Sequence, residues 1–210
     1  MLWSKKSKVH MRMNVLPAAG TAVVLALTFF VRSGSADLVA IASHLSTPPA
    51  RTFLVNVNAA SVGGLKLQTP ASNYVRKLGI PDFVGQLESP KSVEMMWSRT
   101  AQPTTGWATA TLRSPKSTTV VQMRFAGVFT TTRGDKRGTS LSTFLKHWRT
   151  SNPSVTSLRV GRKVVEYNVV IGGVVFGFDT QATLQAVGLA PRGVGRSLCV
   201  IPSSCVVPRA

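Results

Sequence analysis

The chain has 210 residues, of which 44% are apolar and only 15% charged; this excludes intrinsic disorder and leaves material for one core or two small related ones. Its 25 Lys and Arg stand against 7 Asp and Glu, a formal charge of +18. A surface of that sign selects against cationic partners and attracts anions: nucleic acid, anionic lipid headgroups, or envelope polymers bearing phosphate or carboxylate.

Residues 1–14 carry Lys5, Lys6, Lys8 and Arg12 and no acid. Residues 15–31 follow without a charge, as VLPAAGTAVVLALTFFV, and Arg32-Ser33-Gly34-Ser35-Ala36-Asp37 ends the run. A basic leader, an apolar stretch and a small-residue exit are the three parts of a secretory signal peptide, with cleavage sites after Ala36 and after Ala42. An uncleaved anchor fits as well: the run spans about 26 Å as a helix against a hydrocarbon core of roughly 30 Å, and a basic residue directly after it favours retention. Residues 1–42 are therefore expected to be a basic leader plus a signal peptide or apolar anchoring helix. The N-terminus then stays in the cytoplasm, and the remainder is extracytoplasmic, either secreted or held by a single span.

Leu38, Ile41, Ala42 and Leu45 have helical spacing, and Thr47-Pro48-Pro49 breaks that pattern. Residues 43–60 read as a linker with one strand, where Phe53, Val55 and Val57 alternate. From Gly63 the chain repeats itself. Leu67, Ala71, Tyr74, Val75 and Leu78 form a helical stripe stopped by Gly79 and Pro81; Leu141, Phe144, Leu145 and Trp148 repeat its last four positions at an offset of 70, stopped by Asn152-Pro153. Strands are expected after the first helix at 93–98, 107–113 and 118–125, and after the second at 164–170, 173–178 and 184–189, with a tight hairpin at Ile171-Gly172-Gly173. The expected fold class is α+β: an antiparallel sheet with helices packed on one face, arranged as two tandem helix-plus-three-strand units over 61–130 and 131–190, behind the N-terminal apolar helix. Residues 191–210 form a tail in which Cys199 and Cys205, in CVIPSSC, suit a small disulfide. A loop this short stabilises by about 2 kcal/mol.

The segment GLKLQTPASNYVRKLGIP, with RGTSLSTFLKHWRTSNP as a looser copy, resembles the G-hydrophobic, V, LG-x-P opening of the β-lactamase inhibitor proteins and the small outer-membrane-assembly lipoproteins. The resemblance covers about residues 61–190. It implies a helix-plus-sheet unit, used singly or in tandem, that binds other proteins and catalyses nothing. Two features depart from the family. No Cys lies between residues 61 and 190, where the inhibitors carry a disulfide in each unit, and no lipid-attachment Cys follows the apolar segment.

Catalytic patterns are scarce. His147, between Lys146 and Trp148, is the one credible general base and reads as a surface residue. There is no G-x-S-x-G elbow, and Asp82, Glu88, Glu94, Asp135, Glu166 and Asp179 are scattered singly. The glycine-rich IGGVVFGFD at 171–179 lacks phosphate-loop spacing and reads as a hairpin. No metal or cofactor is expected. These features describe an exported or membrane-anchored, non-catalytic binding protein whose partner is a protein or an anionic envelope polymer or lipid. Trp97, Trp107 and Arg124 are the candidate contacts. The alternative is a nucleic-acid-associated or viral structural protein with a basic N-terminus, against which the apolar segment argues, since packaging arms are polar.

Overall fold

A computed structural model describes residues 52–87, 92–97 and 107–202. The leader, the apolar segment, the expected helix near residues 37–46 and Cys205 lie outside the described residues. In chain order the elements are β1 (Phe53–Asn56), β2 (Ser61–Val62), α1 (Ala71–Leu78), β3 (Phe83–Leu87), β4 (Ser92–Trp97), β5 (Ala108–Leu112), β6 (Val120–Phe125), β7 (Phe129–Thr131), α2 (Leu141–Trp148), β8 (Ser154–Val160), β9 (Lys163–Ile171), β10 (Val174–Phe178) and β11 (Leu184–Leu189).

α2 spans the expected stripe, whereas α1 begins at Ala71, a turn later than the expected stripe: Leu67 lies in a turn with Gln68 at φ +60°, and Pro70 directly precedes the helix. In α1 the stripe Ala71, Tyr74, Val75 and Leu78 is buried, and Gly79, at φ +88°, closes the helix by donating its N–H to Val75 O at 2.8 Å. In α2 Phe144 and Trp148 are buried, and the Ser140 hydroxyl caps the start by accepting from the Thr143 N–H at 3.2 Å. Asn152, in the left-handed region at φ +53°, and Pro153 then turn the chain into β8.

The strands form an eight-stranded sheet in the order β3-β4-β5-β6-β11-β10-β9-β8, antiparallel at every pairing, and a small sheet β2-β1-β7 in which β1 and β7 run parallel. The molecule is thus α+β and mostly antiparallel sheet. The strand expected around Phe53 is β1, and the expected glycine turn joins β9 to β10 with Ile171 opposite Val174 and Gly172 at φ +62°. The sequence reading missed the short strands β2 and β7 of the small sheet, and four strands of the large sheet, not three, follow each helix because it also missed β3 and β8. The latter two are edge strands, and an edge strand needs no apolar alternation. β8 reads SVTSLRV with every second residue exposed, and β3 carries a glycine at its centre.

Alternation divides the large sheet into two faces. One presents Met95, Trp97, Ala110, Met123, Phe125, Val187, Leu189, Phe176 and Phe178 to a core shared with Tyr74, Leu78, Phe144 and Trp148. The Phe144 ring lies 4.6 Å from Phe176 and 5.3 Å from Phe178. On the other face, the β9–β11 half is covered by the stretch after β11, where Leu198, Val200 and Ile201 pack on Val175, Ala186 and Ala190. This is why β10, VVFGF, is buried at all five positions.

Polar ties hold that C-terminal stretch in place. The Glu166 carboxylate, fully buried, accepts the Val200 and Ile201 N–H groups at 3.0 Å each, and the Asn168 amide donates to Leu198 O at 2.8 Å. Cys199 is disulfide-bonded, and its Sγ lies 3.8 Å from Glu166 Oε2. Glycines make the close approach feasible: a Cβ on Gly188 would stand 2.6 Å from Val200 Cγ1 and 2.9 Å from Met123 O, and one on Gly177 would overlap Val200. Burial pushes the Glu166 carboxyl from the ordinary 4.5 up to about 7, against the opposing pull of the two N–H donors and the Arg124 charge.

Two outcomes follow. Gly188→Ala forces the last segment off the sheet or the strand out of register, and should lower stability by about 1–3 kcal/mol in urea denaturation followed by tryptophan fluorescence. Because the folded Glu166 pKa lies above the unfolded one, its contribution is fully present below pH 4.5 and is lost as pH rises to about 7. Wild type should lose roughly 3 kcal/mol over that window from this group alone, and Glu166→Gln should flatten the slope by that amount. Equal slopes would show that Glu166 titrates normally.

Candidate functional site

The three candidate contacts do not share a surface. Trp97 is a core residue, 3% exposed, whose indole N–H donates to Gly79 O at 2.9 Å; it faces the helices, opposite Ala108. This corrects the expectation that it meets a partner. Composition cannot show which face of a strand a residue occupies, and one position decides it. Trp107 and Arg124 do meet on the other face, with the guanidinium 5.2 Å from the ring centroid. Arg124 Nε also donates to Thr109 Oγ1 at 2.9 Å, and Nη2 pairs with the Glu94 carboxylate. With its side chain only 18% exposed and neutralised by Glu94, Arg124 is largely occupied by its own neighbours.

A more exposed group of cations lies elsewhere, on the β7–α2 connection, which reads TRGDKRGTS from residue 132. Four charges in five residues were its sequence signal, overlooked because the loop has no apolar period. Gly134 (φ +84°) and Gly138 (φ +93°) supply the backbone conformation its two turns need. At its centre Asp135 is 1% exposed and accepts from His147 Nδ1 at 2.7 Å, the Trp148 indole N–H at 2.7 Å and the Thr131 hydroxyl at 3.1 Å. The Arg133 guanidinium sits 4.4 Å over the Trp148 ring, with Nη2 3.4 Å from the Thr150 and Ser151 hydroxyls. Arg137 Nε donates to Gln185 Oε1 at 3.0 Å. One buried carboxylate therefore organises a loop whose exposed charged side chains, Arg133, Lys136 and Arg137, are all cationic.

Asp135 and His147 have the geometry of an orienting carboxylate and a base, with the imidazole 44% exposed. Among the described residues no hydroxyl or thiol is hydrogen-bonded to His147, so the pair lacks the nucleophile that would complete such a device. Holding α2 and the end of β7 against the loop accounts for these bonds of Asp135. Among the described residues, no three His, Cys, Asp or Glu side chains come together as metal ligands. Beside the loop an open cleft of about 390 Å³ is lined by Thr52, residues 126–130, Lys136 and Arg137. It brings together three stretches far apart in sequence.

Asp135→Ala should cost about 2–4 kcal/mol, because it leaves the Trp148 N–H and the Thr131 hydroxyl buried without a partner. His147→Ala, at a half-exposed position, should cost less than about 1 kcal/mol. Urea midpoints for the two variants measure this; a larger loss for His147→Ala would assign it a role beyond tying α2 to the loop.

No family model matches the chain, and no curated protein matches it. Among solved structures it is similar to an extracellular protein containing an SCP domain from Bacillus anthracis str. Ames, at 12% identity and a TM-score of 0.40 over 77% of this chain and 55% of that one. The chain thus spans about half the length of that protein, and a likeness at this TM-score establishes neither a shared fold nor a shared role.

Proposed function

We propose that this chain is an exported or membrane-anchored, non-catalytic binding protein whose extracytoplasmic domain engages an anionic component of the envelope. The observation that carries the reading is the segregation of charge. Of the five described acids, Asp135 and Glu166 are buried as hydrogen-bond hubs, and Glu94 is paired with Arg124. Asp179 is turned inward onto the Gln181 and Thr183 N–H groups and the Gln185 amide, which leaves Asp82 as the one exposed acid. Against it, Lys66, Arg76, Arg113, Lys116, Arg133, Lys136, Arg137, Lys146, Arg149, Arg159, Arg162, Lys163, Arg192 and Arg196 are exposed. A surface with almost no acidic counter-charge concentrates anions of any geometry.

Export rests on the basic leader and the apolar run at 15–31, which would also hold the domain at the membrane if it is not cleaved. No helix among the described residues is long and apolar enough to cross a membrane. The domain itself is read as two tandem units with their helices on one face of the sheet, in the manner of the β-lactamase inhibitor proteins. Support for this comes from helices of equal length at an offset of 70, each preceded by a strand of the small sheet and followed by four strands of the large one, with the two sets joined through β6 and β11.

The test is retention of the chain, in mild detergent, on three immobilised anions: anionic phospholipid, a phosphate-bearing polymer and duplex DNA. Binding to lipid or polymer that weakens steeply between low and physiological salt is expected. DNA binding tighter than either would favour the nucleic-acid reading. Retention on none of the three at low salt would end the proposal.

A further inference from the structure

We infer that the outer face of the small sheet and the cleft beside it dock on the bilayer and take the headgroup of an anionic phospholipid. The inference deepens the proposed binding of an anionic envelope component and rests on it, together with retention of residues 15–31 as an anchor.

Geometry comes first. In β1, Phe53 and Val55 point into the core and Leu54 points out, 49% exposed. On the neighbouring strand Phe129 and Thr131 are buried, so Val128 and Thr130 share the outward side, and Val128 is 50% exposed. The Phe53 N–H donates to Val128 O at 2.9 Å and Leu54 lies opposite Thr130, which places Leu54 and Val128 as near neighbours on one surface. Thr130 also bridges to Lys136, so the cationic loop borders the apolar pair directly. The cleft beside them is lined by Lys136 and Arg137 together with Ala126, Val128 and Phe129, and among the described residues no acid lines it. Two solvent-facing aliphatic side chains rimmed by cations suit a lipid interface, where apolar groups enter the acyl boundary and basic groups meet phosphate. A soluble polyanion would use the cations and leave Leu54 and Val128 without a partner.

The tether enters the fold at the same face. The apolar run ends at Val31, and the described fold begins at Thr52, itself part of the cleft lining. The intervening residues reach at most about 70 Å when extended. With the anchor retained, the bilayer therefore lies within reach of the cleft, and tethering raises the effective concentration of headgroups around it.

The experiment uses the full chain in nanodiscs of neutral phosphatidylcholine or of a mixture containing one-third phosphatidylglycerol, read by amide hydrogen exchange. The anionic discs should slow exchange in peptides covering 52–56 and 126–137 by up to about 30-fold, the effect expected of two basic groups at an anionic leaflet. High salt or the double variant K136E/R137E should abolish the difference, and Leu54→Ser with Val128→Ser should reduce it. Unchanged exchange in the peptide covering β10 certifies that each variant is folded. Equal exchange in the two discs overturns the inference. If the chain still binds a soluble phosphate polymer, only the lipid assignment falls; if it does not, the broader proposal falls with it. Protection that appears instead around Arg159–Lys163 overturns this surface and leaves the anion-binding reading standing.

Discussion

The pairing of β6 with β11 is the interaction on which the rest of the molecule depends. Three residue pairs make the seam, Val187 with Phe125, Gly188 with Arg124 and Leu189 with Met123, and they merge two four-stranded halves into one sheet. Its core-facing side chains, Phe125, Met123, Val187 and Leu189, are fully buried, so the hydrophobic core runs unbroken across the seam. Phe125 reaches further, to Phe53 at 4.8 Å and Phe129 at 6.4 Å. The small sheet is thereby fastened to the seam, and with it the start of the cationic loop. At the same seam Gly188 opens the opposite face for Val200. Bulk at one position is needed on one side and its absence on the other. That is a constraint of close packing, in which a single methylene decides whether two layers fit.

The second organising feature is where the few carboxylates go. A chain with this excess of base would be expected to scatter its acids on the surface as counter-charges. Instead Asp135 and Glu166 lie inside, each satisfied by several donors, and each fastens a segment that has little regular structure of its own: the β7–α2 loop and the C-terminal stretch. Burying a carboxylate is costly unless its oxygens are fully bonded, so these sites are rigid where they occur. The consequence for function is indirect. Every acid spent inside is one fewer to neutralise the exterior, and the surface potential follows from the internal architecture.

Legibility in the sequence varied with the physics of each element. The helices were readable because burial against a single core imposes a 3–4 apolar spacing, and Tyr74 and Leu78, or Phe144 and Trp148, obey it. The central strands were readable because they are covered on one or both faces; the expected bounds at Leu184 and Leu189 coincide with β11. The edge strands β3 and β8 were not, since half of their pairing potential faces solvent and composition there is free to be polar. The same limit governed the candidate site. Trp107 and Arg124 were named from aromatic and basic content and do meet, whereas Trp97, chosen on the same grounds, points into the core.

By itself the sequence determined the charge balance, the two helical stripes, the apolar N-terminal run and the α+β class, because each is a local or summed property of the chain. Tertiary structure alone decided which acids are buried, which aromatic residues face outward, and that Thr52, Val128 and Lys136 line one cleft. The physical reason is separation along the chain. Those residues are neighbours only because β1 crosses to pair with β7, and a parallel pairing between strands more than seventy residues apart leaves no local periodicity to read.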